Sequence, residues 1–504
     1  MKASRAAGRD TRRLPQIRRS SNLTDAFSAL LRYGVACRQS RARSKALALF
    51  RMDGLSGVAL ALLKVVYTMA VREKPMTDRA DAALVEVHQV GLLGRIARAL
   101  GPGLVTGAAD DDPSGIATYS QVGAQFGYQL SWIMLFSYPL MAVTQAIAAR
   151  IGLVTGRGIA QNLRRHYPRW LLRVVVLLLL VANVANLGAD LGAMGSAVQL
   201  LAGGPALVYT IMLAGLCVLL EVFMSYATYA SVLKWLTLTL FSYVVVVVAV
   251  DVPWGAALKA TFVPEIVFDS QHAMAVVAVL GTTISPYLFF WQAAQEVEEQ
   301  VRRATLPLYV MPSEAGLEMK RMSVDTWVGM GISNLISLFI IIATAATLHA
   351  HGITEIQTSS QAAEALRPIA GPLTFFIFAL GIIGTGLLAV PVLAGSAAYA
   401  VCETFDWVEG LDHKVKDARA FYGVIALATF VGLCLNFIGI DPIKALYWSA
   451  VLNGVLAAPI MASMLLIADN KKIMGDFVLP WQMRAGGWFA TLVMAVASIA
   501  FIVL

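Results

Sequence analysis

Charge is scarce in this sequence: 14% of its 504 residues are Asp, Glu, Lys or Arg, against about 25% in ordinary soluble domains. With so few side chains to hold a water shell, a soluble globular fold is excluded. Cysteine is scarcer still. The four present (Cys37, Cys217, Cys402 and Cys434) form no CxxC pair or other metal-ligand spacing, so neither a disulfide framework nor a zinc site is expected. Three of them sit in or beside apolar stretches and read as small buried hydrophobes. Histidine, the side chain that titrates near neutrality, is present in six copies: His88, His166, His272, His349, His351 and His413. All fall in loops or at the ends of apolar spans. Apolar residues are what the chain has in excess, 58% of it where soluble domains have roughly 45–50%. The sequence reads as an all-α polytopic membrane protein. Its net charge of +8 lies mostly in the N-terminal tail and in loops, so it points to no nucleic-acid partner.

Residues 1–90 are expected to be a basic tail, disordered or an over-extended start, with Met69 and Met76 just ahead of the first recognisable element. The alternative is a tail lying on an anionic leaflet. The short apolar stretch at 54–71 is interrupted by Lys64; it reads as no span and lacks the cleavage site of a signal peptide. A transporter domain is expected over 91–504. Its eleven apolar spans are 97–126, 130–153, 171–203, 206–225, 230–251, 273–295, 325–349, 371–400, 419–438, 443–468 and 485–504. Basic residues cluster after spans 2, 6, 8 and 10, as in Arg164, Arg165, Arg302, Arg303, Lys414, Lys416, Lys471 and Lys472, and are nearly missing from the alternate loops. By the positive-inside rule the amino terminus is cytoplasmic and the carboxyl terminus outside, in a cell inner membrane.

Two of these spans are interrupted at their middles. In span 1, Ala108-Ala109-Asp110-Asp111-Asp112-Pro113-Ser114-Gly115 places three acids, a proline and a glycine between apolar flanks. A charge at the centre of such a helix costs about 2.5–3.5 kcal/mol on the insertion scale, and Pro113 disfavours helix at Asp112. The segment reads as a broken helix whose freed carbonyls and carboxylates face a cavity, with a cation as the natural occupant. Span 6 is interrupted by Gly281-Thr282-Thr283-Ile284-Ser285-Pro286-Tyr287. The two breaks lie five spans apart, so an odd-numbered set separates them and inverts in the membrane. That is the pattern of an inverted-repeat transporter with its site at the midplane: repeat one at about 97–252, repeat two at about 272–468, and an extra helix at 485–504.

A resemblance becomes specific here. Gly101-Pro102-Gly103, Asp112-Pro113-Ser114-Gly115, Gly123 to Tyr128, Ala148 to Arg157, His166 to Arg169, Gly281 to Tyr287 and Lys471 to Gly475 resemble the natural-resistance-associated macrophage protein (NRAMP) family of divalent-metal transporters. The resemblance implies a leucine-transporter-like 5+5 inverted-repeat fold with broken helices 1 and 6. It also implies transport of manganese, iron or related ions, usually with protons. Departures accompany it. The family pattern has Asn at the position of Gly115, Met-Pro-His at Ser285, Pro286 and Tyr287, a second histidine at Gln292, and Glu at Ala193, while its third-span Asp is present as Asp190. The chain is thus similar to a divergent branch like the NRAMP-related magnesium transporters.

A thioether is what favours transition metals at such a site. With Ser285 in its place the set becomes carboxylate, hydroxyl and carbonyl, which suits hard ions such as Mg²⁺ and Mn²⁺. The expected metal ligands are Asp112, Asp111, Thr282 and Ser285. Asp110, Gly115, Tyr287, Gln292 and Asn453 are expected to line the cavity or assist, and Asp190 is the candidate proton relay. Asp110 and Asp111 could instead line the entry path, and Asp325 is expected to cap span 7. With every histidine away from the breaks, proton coupling is doubtful. No resident cofactor and no enzymatic activity are expected; the metal is substrate. Divalent ions and the bilayer are the expected partners, with the chain as a monomer. Two other functions compete. An amino-acid or organic-solute symporter needs a free helix N-terminus for the substrate carboxylate, which three aspartates would repel. An intramembrane aspartyl protease could use Asp112 and Asp190, yet it leaves the second break unexplained.

Overall fold

Proline and aspartate punctuate a chain that is otherwise nearly continuous helix, in a computed structural model describing residues 102–223, 240–303, 305–411 and 413–504. Helix α1 (Pro102–Asp110) is followed by α2 (Pro113–Phe126), α3 (Trp132–Thr155), α4 (Ile159–His166), α5 (Arg169–Ala202) and α6 (Ala206–Phe223). Then come α7 (Phe241–Ala249), α8 (Trp254–Phe262), α9 (Ser270–Thr283), α10 (Pro286–Arg303) and α11 (Ala315–Thr347). The last are α12 (Ser359–Glu364), α13 (Arg367–Ala370), α14 (Thr374–Phe405), α15 (Arg419–Leu435), α16 (Pro442–Ala468), α17 (Lys471–Met474) and α18 (Trp481–Val503). The expected basic tail at 1–90 lies outside the described residues.

Among the described residues, nine helices are long and apolar enough to cross a membrane. The two other expected spans explain the difference from eleven. Span 1 is split into α1 and α2, of 9 and 14 residues, each too short for the roughly 20 residues a crossing takes. The first part of span 5, 230–239, lies outside the described residues, and its described part holds only α7, of 9 residues. Three further details depart from expectation. The helix of span 7 starts at Ala315, about three turns before the apolar stretch, because Glu318, Lys320 and Arg321 lie on a polar extension that hydropathy does not register. Asp325 is therefore inside α11, and its carboxylate caps a different helix by accepting from the Gly103 N–H of α1 at 2.7 Å. Cys217 and Cys402 are buried as expected, but Cys434 is exposed.

The breaks occur where local chemistry favours them. Pro113 opens α2 at a position where its missing N–H costs nothing, and Asp112 accepts from the Gly115 N–H as an N-cap. Ile284 leaves helical geometry at φ −120°, ψ 55°, and Pro286 restarts the helix as α10. The Ser285 hydroxyl donates to the carbonyls of Gly281 (2.9 Å) and Thr282 (2.7 Å), satisfying the end of α9.

Around the breaks, α5 packs on α14 and α16, α9 on α16, and both α1 and α2 on α11. The α9–α16 contact is backbone on backbone: a Cβ at Gly281 would run into the Ala450 carbonyl and stand 2.7 Å from Gly454 Cα. Gly281→Leu should therefore push α9 off α16. Overpacking typically costs about 1–3 kcal/mol, and a backbone obstacle places this site at the upper end. The thermal unfolding midpoint in detergent should fall well below that of Gly255→Leu, whose position faces open space. Equal midpoints would show that this contact does not hold the second break in place.

Candidate metal centre

Four carboxylates meet the breaks, and all are buried: Asp110, Asp111, Asp112 and Asp190 are 0–3% exposed. Asp112 stands at the junction. Its Oδ1 accepts from the Ser114 hydroxyl at 2.6 Å and the Gly115 N–H at 2.8 Å. Its Oδ2 accepts from Asn186 Nδ2 at 2.9 Å and from the Tyr287 hydroxyl at 3.2 Å. Tyr287 also reaches the Ala109 carbonyl at 3.3 Å, one of the oxygens freed at the end of α1. One carboxylate thus ties α2, α5 and α10 together across both breaks.

Asn186 is the hub on α5. Its amide nitrogen bridges Asp112 and Asp190, the latter at 3.2 Å. Its amide oxygen accepts from Ser449 (3.1 Å) and Asn453 (3.3 Å) of α16. Asp190 Oδ1 and Asn453 Oδ1, both on side chains bonded to Asn186, are buried with no hydrogen-bond partner. The N-terminus of α2 adds its partial positive charge here, with the Gly115 N–H on Asp112. Two carboxylates, two amides and a phenol gather oxygen atoms at the breaks, while the N-terminal N–H groups of α2, which favour negative charge, hold the Asp112 carboxylate.

The remaining expected residues divide. Thr282 borders this cluster: a Cβ at Gly115 would lie 3.1 Å from its Cγ2 and 3.2 Å from Tyr119 Cε2. The Thr282 and Ser285 hydroxyls donate to backbone of their own helix, which leaves their oxygen lone pairs as acceptors. Asp110 and Asp111 turn instead to α11, where Ser333 and Ser337 donate to them. Gln292 faces away along α10, accepting from Thr106 and donating to Glu296 at 3.1 Å. Among the described residues no three His, Cys, Asp or Glu side chains converge as a metal cage of those residues alone would, so hydroxyl, amide and carbonyl oxygens must complete any coordination sphere. Asn186, Ser333, Ser337 and Ser449 were missed in the sequence. Asn186 could have been found, since an asparagine one helical turn before an intramembrane aspartate shares its face.

A profile of the family described as Natural resistance-associated macrophage protein-like (Nramp) matches residues 103–504, which take in both breaks and every residue of this cluster. The chain belongs to the Nramp family. It is 26% identical over 400 residues to the divalent metal cation transporter MntH of Klebsiella pneumoniae, covering 77% of this chain and 90% of that one. Its fold is similar to that of the Eremococcus coleocola manganese transporter solved with an aromatic bis-isothiourea substituted compound. That match has a TM-score of 0.65 at 16% identity, over 80% of this chain and 86% of the other. MhsT in complex with L-phenylalanine is a more distant likeness, with a TM-score of 0.54 at 13% identity over 80% and 97% of the two chains. The fold of this Nramp chain is the leucine-transporter-like one, with helices 1 and 6 broken. Three of its departures from the Nramp pattern, Gly115, Ser285 and Tyr287, border Asp112 or the break it faces, while Gln292 bonds to Thr106 and Glu296 instead.

Proposed function

We propose that this chain carries divalent metal cations across a membrane by alternating access, with the ion held at mid-depth between the two broken helices. The observation that carries the reading is Asp112, a buried carboxylate at the end of one break that is bonded to a side chain from the other. A membrane-buried charge so placed is costly unless it serves an ion path. The names of the relatives support the class of cargo. Asp112 is the principal ligand in this reading, with Thr282, Ser285 and backbone carbonyls of the breaks as neutral ligands and Asp190 as the accessory charge or proton relay. The five described histidines stand at helix ends or in loops, so coupling through histidine is not part of the proposal. The amino terminus is placed in the cytoplasm and the carboxyl terminus outside, following the basic loops. The symporter reading has only fold similarity behind it, and Asp112 and Asp190 at the start of α2 would repel a substrate carboxylate. Uptake into proteoliposomes loaded with a metal-sensitive dye, compared across Mg²⁺, Mn²⁺, Fe²⁺ and Ca²⁺, tests the proposal. A chain that moves none of them does not have this function.

The donor set is all oxygen, so Mg²⁺ and Mn²⁺ should compete well against softer ions. Ser285→Met adds a thioether at the second break. Cd²⁺ should then bind at least roughly tenfold tighter, a change of about 1.4 kcal/mol, and Mg²⁺ should bind more weakly. Calorimetric titration of both ions checks this; unchanged affinities would mean that Ser285 does not face the ion.

A further inference from the structure

Asp110 and Asp111 do not share the partners of Asp112. Ser333 Oγ stands 2.8 Å from Asp110 Oδ2 and 3.1 Å from Asp111 Oδ1, and Ser337 Oγ lies 3.4 Å from Asp111 Oδ1. Ser333 has one hydrogen and can give it to only one of the two carboxylates at a time. Ser337 also donates to the Ser333 carbonyl at 3.0 Å. Asp110 Oδ1 is buried with no partner. The Tyr119 hydroxyl, on a side chain 0% exposed, makes no hydrogen bond of ordinary geometry although it faces Asp110, Asp111 and Ser337. No lysine, arginine or histidine of the described residues forms an ion pair with either acid.

We propose that Asp110 and Asp111, with Ser333, Ser337 and Tyr119, form a second cation site, separate from that at Asp112, for a hard cation of the sodium or magnesium class. The charge balance rests on the transport reading above. One divalent ion at Asp112 and Asp190 neutralises those two carboxylates and leaves this pair without a counter-charge in a medium that does not tolerate one. The donors are all oxygens, with no imidazole or sulfur, which selects hard ions. They come from the end of α1, the break, α2 and α11, so an ion here joins both halves of the broken helix to α11. Its binding would favour whichever arrangement of α1 and α2 keeps these oxygens together.

Equilibrium dialysis of the purified full chain tests this, with Mg²⁺ or Mn²⁺ in sodium-free buffer and, in parallel, with radiolabelled Na⁺. The wild type should bind two ions, either two divalent ions or one divalent ion and one Na⁺. Asp110→Asn/Asp111→Asn should bind only the ion that depends on Asp112, and Asp112→Ala only the other. Ser333→Ala/Ser337→Ala keeps both carboxylates and should weaken the second ion roughly tenfold or more while sparing the first. A single ion in the wild type, held equally well by Asp110→Asn/Asp111→Asn, overturns the second site and leaves the first standing. Na⁺ bound without any divalent ion, and lost in Asp110→Asn/Asp111→Asn, supports the second site and sinks the transport reading. Binding of neither kind of ion overturns both.

Discussion

Asp112→Ala is expected to abolish divalent-metal binding and uptake while the protein still inserts and stays monodisperse. Two effects have to be separated. Alanine removes the N-cap that holds the Gly115 N–H, at a cost of about 0.5–2 kcal/mol, and it also removes the charge. Asp112→Asn separates them. Its amide oxygen still accepts from Gly115 and keeps the cap, its NH2 group meets the donors Asn186 and Tyr287, and the negative charge is gone. Metal affinity should fall by more than about a hundredfold in both variants, or about 2.8 kcal/mol, as read by calorimetry. Wild-type affinity in either variant would remove Asp112 from the site.

The second large effect is expected at Asn186, a residue absent from any reading of the breaks alone. Asn186→Leu withdraws the donor shared by Asp112 and Asp190 and the acceptor used by Ser449 and Asn453. Each buried polar group left without a partner costs about 1–3 kcal/mol. The unfolding midpoint should fall, but that alone would not distinguish a structural role. The discriminating readout is the rise in midpoint on adding Mn²⁺, which for a ligand that binds only the folded chain grows with affinity. That rise should shrink or vanish in Asn186→Leu and survive in Asn183→Leu, whose amide bonds to Leu393 and Ser396 of α14 and to none of the four acids. An undiminished rise in Asn186→Leu would mean that the bridge between the two carboxylates does not shape the site.

The breaks were legible because proline and buried acids act locally: Pro113 and Pro286 end up at the first positions of α2 and α10. The partners of the acids were not, because they lie far along the chain. Asn186 is 74 residues from Asp112, and Ser333 is 223 from Asp110. Serine on an apolar span looks the same whether it back-bonds to its own helix or reaches a carboxylate, so only packing of α11 on α1 and α2 tells Ser333 apart from Thr344, which back-bonds. The same packing divides three consecutive aspartates between α11 and the α5–α10 side, a split that adjacency in sequence hides. Asp325 fails for a related reason: a carboxylate near the start of an apolar stretch resembles a cap, but the helix it caps is α1.

The most direct measurement is the anomalous scattering of Mn²⁺ in crystals of the full chain. The account predicts a peak within direct ligand distance of the Asp112 carboxylate, roughly 2–2.6 Å as for hard divalent ions, between the break at Asp111 and the break at Ser285. Ordered Mn²⁺ confined to other places, with Asp112 still bonded as it is to Ser114, Gly115, Asn186 and Tyr287, would contradict it.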